Sequence, residues 1–234
     1  MASLTSRMKS FATDNSATSI PTRLRRKRFV LFEQLIDAIA QDSDQPITVI
    51  DFGGTAEYWY QVYDVRLNPL NLKVTLFNLS FSNRSDPWFD YVCGDVTSME
   101  SMPEKSYTVG FSNSLIEHVG TIPQQILAIT EMQRVSRFFY LQTPNFWFPW
   151  EPHYNLPLVH WLALPIRLRV LSVANRRQFD KEVRAYSLNP ISLLSGSMLK
   201  ALFPPVQYDL VRERLLVWTK SFIIRSRQRS RQDA

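Results

Sequence analysis

The stretch Ile47-Thr-Val-Ile-Asp51-Phe-Gly53-Gly54-Thr55 decides how the rest of the chain is read. Its β-branched residues favour a strand, and Pro46 closes off whatever precedes it. The paired glycines then let the backbone turn sharply and come close to a ligand. In a parallel sheet such a turn sits at the carboxyl end of the strand, where ligands bind. An ordinary strand-to-helix turn also accommodates a glycine pair, and the third glycine of Gly-x-Gly-x-x-Gly is missing. The pair therefore takes its meaning from the strands downstream of it.

Four more short apolar runs come after the turn: Val74–Leu79, Tyr91–Cys93, Tyr107–Ser112 and Phe138–Gln142. Upstream, Phe29, Phe32, Ile36 and Ile39 fall at helical spacing after Pro21. Ile122, Ile126, Ile129 and Met132 do the same before Arg134 and Arg137. Strands alternating with helical segments predict a parallel sheet covered on both faces. Residues 144–190 break that rhythm with prolines interleaved among Phe146, Trp147, Phe148, Trp150, Tyr154 and Trp161. A helix near Ile191–Leu202 and two strands, Val206–Leu216 and Thr219–Arg225, complete the pattern, the strands pairing antiparallel. The expected fold is α/β: a doubly wound, mostly parallel sheet with an antiparallel last strand and an aromatic cap inserted after the fifth strand. The expected division is a flexible lead-in over 1–20, one domain over 21–225 with the cap at about 144–190, and a basic tail over 226–234.

Composition narrows the function classes. The 234 residues are 45% hydrophobic and 13% aromatic, which excludes a wholly disordered chain. Cys93 is the single cysteine, so an internal disulfide framework and a cysteine-based zinc site are excluded. The 3 histidines stand far apart, and no metal is expected. A reducing cytoplasm is the expected home. The apolar run Leu156–Ile166 is too short to span a bilayer. The net charge of +6 is concentrated at the ends, in Arg23, Arg25, Arg26, Lys27 and Arg28 and in Arg225, Arg227, Arg229 and Arg231. Basic ends on a balanced core are read as solvated termini or as contact with an anionic surface, ahead of sequence-specific nucleic-acid binding.

Polar residues close the strands in series. Asp51 precedes the glycine pair, Asn78 ends the second strand, Asp95 comes after Gly94 beyond the third, and Asn113 with Ser114 ends the fourth. Any one of these could simply end a strand. Four in a row at one sheet edge instead describe a ligand site, with Asn78 where a ribose-binding group belongs.

With these residues in place, the sequence resembles the class I S-adenosylmethionine-dependent methyltransferases, and within them the small-molecule branch called methyltransferase type 11. The resemblance rests on Val49-Ile-Asp-Phe-Gly-Gly-Thr, Thr75-Leu-Phe-Asn-Leu, Gly94-Asp95 and Phe111-Ser-Asn-Ser-Leu-Ile-Glu-His-Val. Glu131-Met-Gln-Arg-Val, Gln142-Thr-Pro-Asn and Glu151-Pro-His extend it. It implies a Rossmann-like methyltransferase fold, S-adenosyl-L-methionine as cofactor, and transfer of its methyl group to a small-molecule acceptor, at oxygen. The alternatives are a binding protein of that fold that has lost turnover and a basic methyltransferase at a membrane surface or on RNA. By position, Asp51, Gly53 and Gly54 would line the methionine part, Asn78 the ribose, and Asp95 with Val96 the adenine. Asn113 would lie beside the sulfonium, with His118 just beyond. The family commonly has an acid where Asn78 stands, and usually a further glycine in the first loop.

A sulfonium is already activated for methyl transfer, so the protein mainly aligns the acceptor and excludes water. A base is needed when the acceptor is a weakly acidic hydroxyl. His153, with Tyr154 beside it, is the candidate, in a loop just after the fifth strand. His160, among apolar neighbours, is read as structural. The cap is expected first to form a pocket for a hydrophobic or aromatic acceptor; a plain lid and peripheral membrane contact are the alternatives. The assembly is expected to be a monomer or a homodimer.

Overall fold

The computed structural model describes residues 20–40, 45–63, 67–82, 84–151, 156–174, 191–204 and 206–227. Helix α1 (Ile20–Ala40) leads into strand β1 (Ile47–Phe52), the glycine turn and helix α2 (Ala56–Val62). Strands β2 (Leu72–Asn78), β3 (Phe89–Cys93) and β4 (Tyr107–Asn113) come next, then a single 3₁₀ turn at Ile116–His118. Helix α3 (Ile122–Val135) runs directly into β5 (Ser136–Pro144). A small antiparallel pair, β6 (Trp150–Glu151) with β7 (Leu156–Pro157), precedes helix α4 (Leu164–Ala174). Helix α5 (Gly196–Leu202) and strands β8 (Tyr208–Leu215) and β9 (Trp218–Ser226) end the described chain.

The main sheet has seven strands in the order β3-β2-β1-β4-β5-β9-β8. The first five are parallel, and β9 joins β5 antiparallel with Pro144 opposite Ser221. The expected doubly wound sheet with its antiparallel last strand is therefore present. Winding reverses between β1 and β4, and at this switch point the connections leave opposite faces and open a crevice.

Strand alternation sorts the core into two layers. Val49, Val74, Leu76, Val109, Phe111 and Tyr140 face α1 and α2, where they meet Phe29, Phe32, Ile36 and Trp59. Ile50, Phe52, Phe77, Phe139 and Leu141 face α3 and α5. Helix α1 is locked by aromatic contacts: Phe32 lies 4.9 Å from Phe111 and 5.6 Å from Tyr140, and the Tyr140 hydroxyl donates to the Arg28 carbonyl.

Three sequence expectations are corrected. Of the expected face of α3, Ile129 and Met132 are buried and Ile122 packs against the core, but Ile126 is 42% exposed and Gln125, Ala128 and Val135 complete the buried face. This face has the same helical spacing, and it admits Gln125 because the amide nitrogen donates to the Ser192 carbonyl. The expected helix near Ile191 starts only at Gly196, because Leu194 bridges to Asn145 in extended conformation and Ser195 caps the helix. The expectation of solvated basic ends is corrected only in part. Arg23, Arg26 and Lys27 are exposed on α1, whereas Arg25 bonds Gln61, Arg225 bonds Gln34 and Arg227 pairs with Asp209 at 3.0 Å, and Arg229 and Arg231 lie outside the described residues.

Candidate active site

A cavity of about 520 Å³ opens at the carboxyl ends of β1 to β4. It brings together Gly53, Asn78, Asp95, Val96 and His118 of the expected residues, with Phe77, Gly94, Ser114, Leu115 and Val119 around them.

The glycine turn forms its inner wall. Gly53 has φ +74° and donates its amide to the Phe77 carbonyl at 2.7 Å, tying the turn to β2. A Cβ there would also come within 2.7 Å of the Leu115 side chain. Thr55 then caps α2, its hydroxyl accepting from the Tyr58 amide. Gly94 is small because Phe77 fills the space a Cβ would need.

Asn78 and Asp95 are held by their own backbones. Asn78 Oδ1 accepts from the Leu79 amide at 2.9 Å, which leaves Nδ2 as the atom for a ligand. Asp95 Oδ1 accepts from the amide and hydroxyl of Thr97 at 2.8 and 2.7 Å, leaving Oδ2 as its free acceptor. Arg134 braces the loop beyond Asp95 from behind, donating to the carbonyls of Met99 and Met102 and to Glu131. Its guanidinium, donating to Glu131, holds that carboxyl below its ordinary range.

The fourth strand ends in a strained turn. Ser114 has φ +56°, and its amide and hydroxyl both bond Gln142 on β5. Left-handed conformation in a non-glycine residue costs about 1–3 kcal/mol and concentrates at functional sites. The 3₁₀ turn after it separates two neighbours: Glu117 is wholly buried and accepts from Thr143 Oγ1, whereas His118 is exposed at the cavity.

Asp51, Gly54 and Asn113 do not line the cavity. Asp51 is 1% exposed, and its Oδ2 accepts from the Trp59 indole at 2.7 Å. Burial raises its pKa to about 8, with the indole bond opposing. A side chain at Gly54 would collide with this carboxyl group, so Gly54 is the lid on a buried acid. Asn113 remains in the β4 ladder opposite Gln142. His153 and Tyr154 lie outside the described residues. His160 is buried with Nε2 bonded to the Phe146 carbonyl, which also accepts from the Trp161 indole.

Ser114, one of the polar strand ends, lines the cavity, as do Leu115, Val119 and Gln124, which sequence reasoning does not single out as site residues. Gln124 is the most accessible of them to such reasoning, because Thr121-x-x-Gln124 spells the capping box that opens α3.

The residues present fit an adenosyl-amino-acid ligand. Two positions have no room for a Cβ, one free amide donor and one free carboxylate oxygen project from adjacent strand ends, and Val96, Leu115 and Val119 supply apolar surface. The volume lies in the usual range for small-molecule sites, about 300–1,000 Å³. Among the described residues no group of three acidic, histidine or cysteine side chains could hold a metal. No described helix is long and apolar enough to cross a membrane.

Comparison with known proteins supports the fold. No protein-family model matches the chain. Two uncharacterised proteins of Mycobacterium tuberculosis, from strains CDC 1551 and H37Rv, are each 30% identical over 65 residues. The match covers 28% of this chain and only 22% of either relative. Among solved structures, the DszA carbon methyltransferase is similar with a TM-score of 0.55 at 12% identity, over 88% of this chain and 53% of that one. This chain thus spans about half of that protein. A 1,6-didemethyltoxoflavin N1-methyltransferase of Burkholderia thailandensis, with bound S-adenosylhomocysteine, gives a TM-score of 0.48 at 13% identity, over 83% and 76% of the chains. The chain has the Rossmann-like fold of the class I methyltransferases.

Proposed function

We propose that the protein is an S-adenosylmethionine-dependent methyltransferase acting on a small-molecule acceptor, at oxygen. The observation that carries the reading is the convergence of Gly53, Asn78, Asp95 and His118 on one cavity at the switch point of a methyltransferase-type sheet. In this reading Asp95 Oδ2 accepts from the adenine amino group, Asn78 Nδ2 donates to a ribose oxygen, and the Gly53 turn admits the methionine part. Asp51 acts indirectly, by fixing the turn through Trp59.

The bound cofactor supplies a methyl group already activated on sulfonium. The chain's residues then have three tasks: to hold the acceptor in line, to exclude water, and to remove a proton where the acceptor is a hydroxyl. Orientation alone can supply up to about 7–11 kcal/mol. We assign the proton to His153, with Tyr154 beside it, and the roof over the acceptor to the aromatic segment at about 144–190. The support for both is their place in the sequence directly after β5. Trp147, 58% exposed beside this strand end, fits an apolar wall for the acceptor.

Calorimetry with S-adenosylhomocysteine tests the reading. One site per chain is expected, and Asp95→Ala should weaken binding at least about tenfold, which corresponds to about 1.4 kcal/mol. No binding to the folded wild-type protein would show a methyltransferase-like fold that no longer takes the cofactor.

A further inference from the structure

The hairpin that joins β8 to β9 ends in residues that such turns ordinarily avoid. Leu215 pairs with Trp218, so Leu216 and Val217 alone make the turn. Glycine, asparagine and aspartate are the usual residues there, because the backbone takes positive φ. Leu216 adopts φ +53° without being any of these, a conformation costly for an L side chain. It is 90% exposed, and Val217 is 87% exposed. Leu215 and Trp218 are nearly half exposed, and among the described residues none of the four joins a hydrophobic cluster. Four consecutive apolar residues thus add nothing to the described core.

Strand register places this tip. Glu213 lies opposite Ser221, and Ser221 opposite Pro144 at the carboxyl end of β5. Leu216 stands three residues beyond Glu213, a reach of about 10 Å at roughly 3.3 Å per residue. The tip therefore projects past the same sheet edge that holds the cavity.

Helix α1 brings positive charge to this corner. Arg28 Nε lies 3.7 Å from Glu213 Oε1, whereas Gln34, further along the helix, accepts from Arg225, opposite Tyr140. The helix therefore runs down the sheet from its carboxyl edge, and its first turns flank the base of the hairpin. Arg23, Arg26 and Lys27 are exposed on those turns, and Arg212 and Arg214 on β8 below the tip. Arg26 donates to the Gln61 carbonyl, a neutral partner that leaves its charge uncancelled. Glu213 is occupied by Arg28 and the Ser221 hydroxyl, and Glu57, exposed at the start of α2, offsets one further cation.

The shape and the charge select the partner. A protein partner needs roughly 800 Å² of matched surface per side, and a two-residue turn is a narrow projection. A bilayer accepts such a projection, since interfacial elements bury their apolar part about 5–10 Å deep, the reach of this tip. Indoles favour the boundary level at which Trp218 would then lie. Anionic headgroups attract basic side chains within a Debye length of the surface.

We infer that the β8–β9 hairpin docks the protein on an anionic lipid surface. Leu216 and Val217 enter the acyl boundary, while Trp218, Arg214 and the first turns of α1 meet the headgroups. The hairpin is a different element from the aromatic segment at 144–166, and its docking is independent of the methyl-transfer reading.

The test floats the full chain, without cofactor, on vesicles of phosphatidylcholine alone and of phosphatidylcholine with about one-third phosphatidylserine. Binding is expected to the second and should fall steeply as salt is raised. Leu216→Asn combined with Val217→Gly installs the favoured turn, so melting temperature should hold or rise while vesicle affinity falls at least tenfold. A purely structural tip would not separate those two readouts. Arg214→Gln and Lys27→Gln should each weaken binding roughly fivefold. Lys200→Gln, on α5 beside Tyr208 and Arg227 at the opposite sheet edge, should change nothing. No preference for the phosphatidylserine vesicles overturns the proposal, as does binding that the turn variant leaves unchanged. Self-association lost in the turn variant, in a chain that ignores vesicles, overturns it too and gives the tip to a second copy.

Discussion

The Trp59 indole donates to Asp51 beneath the glycine turn, so the acid that ends β1 is a buried, protonated strut. Its pKa is raised in the folded protein, so its contribution to stability is complete below the unfolded value of about 3.8 and is lost as pH rises through about 8. Asp51→Asn keeps an acceptor for the indole and removes the titration. The wild type should therefore lose melting temperature between pH 5 and 9 more steeply than Asp51→Asn, as read by circular dichroism. Equal slopes would place the ionisation elsewhere.

At Gly53 the positive φ and the Leu115 contact act together. Gly53→Ala should lower stability by roughly 1–3 kcal/mol in urea unfolding. It should also weaken S-adenosylhomocysteine more than Gly53's distance from the adenine end would explain, because the turn itself shifts. A variant with wild-type stability would mean that the turn relaxes freely.

Asn78 offers a ligand one amide nitrogen, since its oxygen is committed to Leu79. Asn78→Asp keeps that bond through one carboxylate oxygen and frees the other to accept from ribose hydroxyls. Charge-assisted bonds are the stronger kind, and affinity should rise by up to about tenfold, or about 1.4 kcal/mol. A fall in affinity on calorimetry would count against a ribose at this position.

For His153 the prediction separates chemistry from binding. His153→Ala should leave cofactor affinity nearly intact and lower the methyl-transfer rate by roughly 10²–10⁴. The wild-type rate should rise with pH through about 6.5, the ordinary histidine value. Full activity in a stable variant would leave acceptor orientation as the catalytic device.

How far the sequence can be read depends on the kind of signal each residue gives. Strands β1 to β5 are legible because short β-branched and aromatic runs sit between breakers, and Gly53, Asn78 and Asp95 are legible as the polar ends of those runs. Ile126 misleads because it lies at the margin of the face that buries Ile129 and Met132, and the Ser192 carbonyl, distant in sequence, gives Gln125 a partner inside that face. Asp51 misleads in a different way: strand position gives an acid's place but not its partner, and Trp59 competes for it. Ser114 is legible as a polar strand end but its left-handed conformation is not, because that is imposed by Gln142 on the next strand. The bulge at Lys220, where Glu213 pairs with Ser221 and Arg214 with Thr219, is silent for the same reason, since it is a property of pairing.

Helix α1 is synthesised before its docking surface exists. Its apolar face, Phe29, Phe32 and Ile36, rests on Phe111 and Tyr140, and the bond from Tyr140 to the Arg28 carbonyl joins residues 112 positions apart. Until β4 and β5 emerge, that greasy stripe has only Trp59 and Tyr63 of its ring partners. Closing so large a loop is a slow step for a chain rich in long-range pairings. The nascent chain thus passes through an interval of exposure in which chaperone capture or aggregation competes with folding. Helix α1 thus completes its docking only late in assembly.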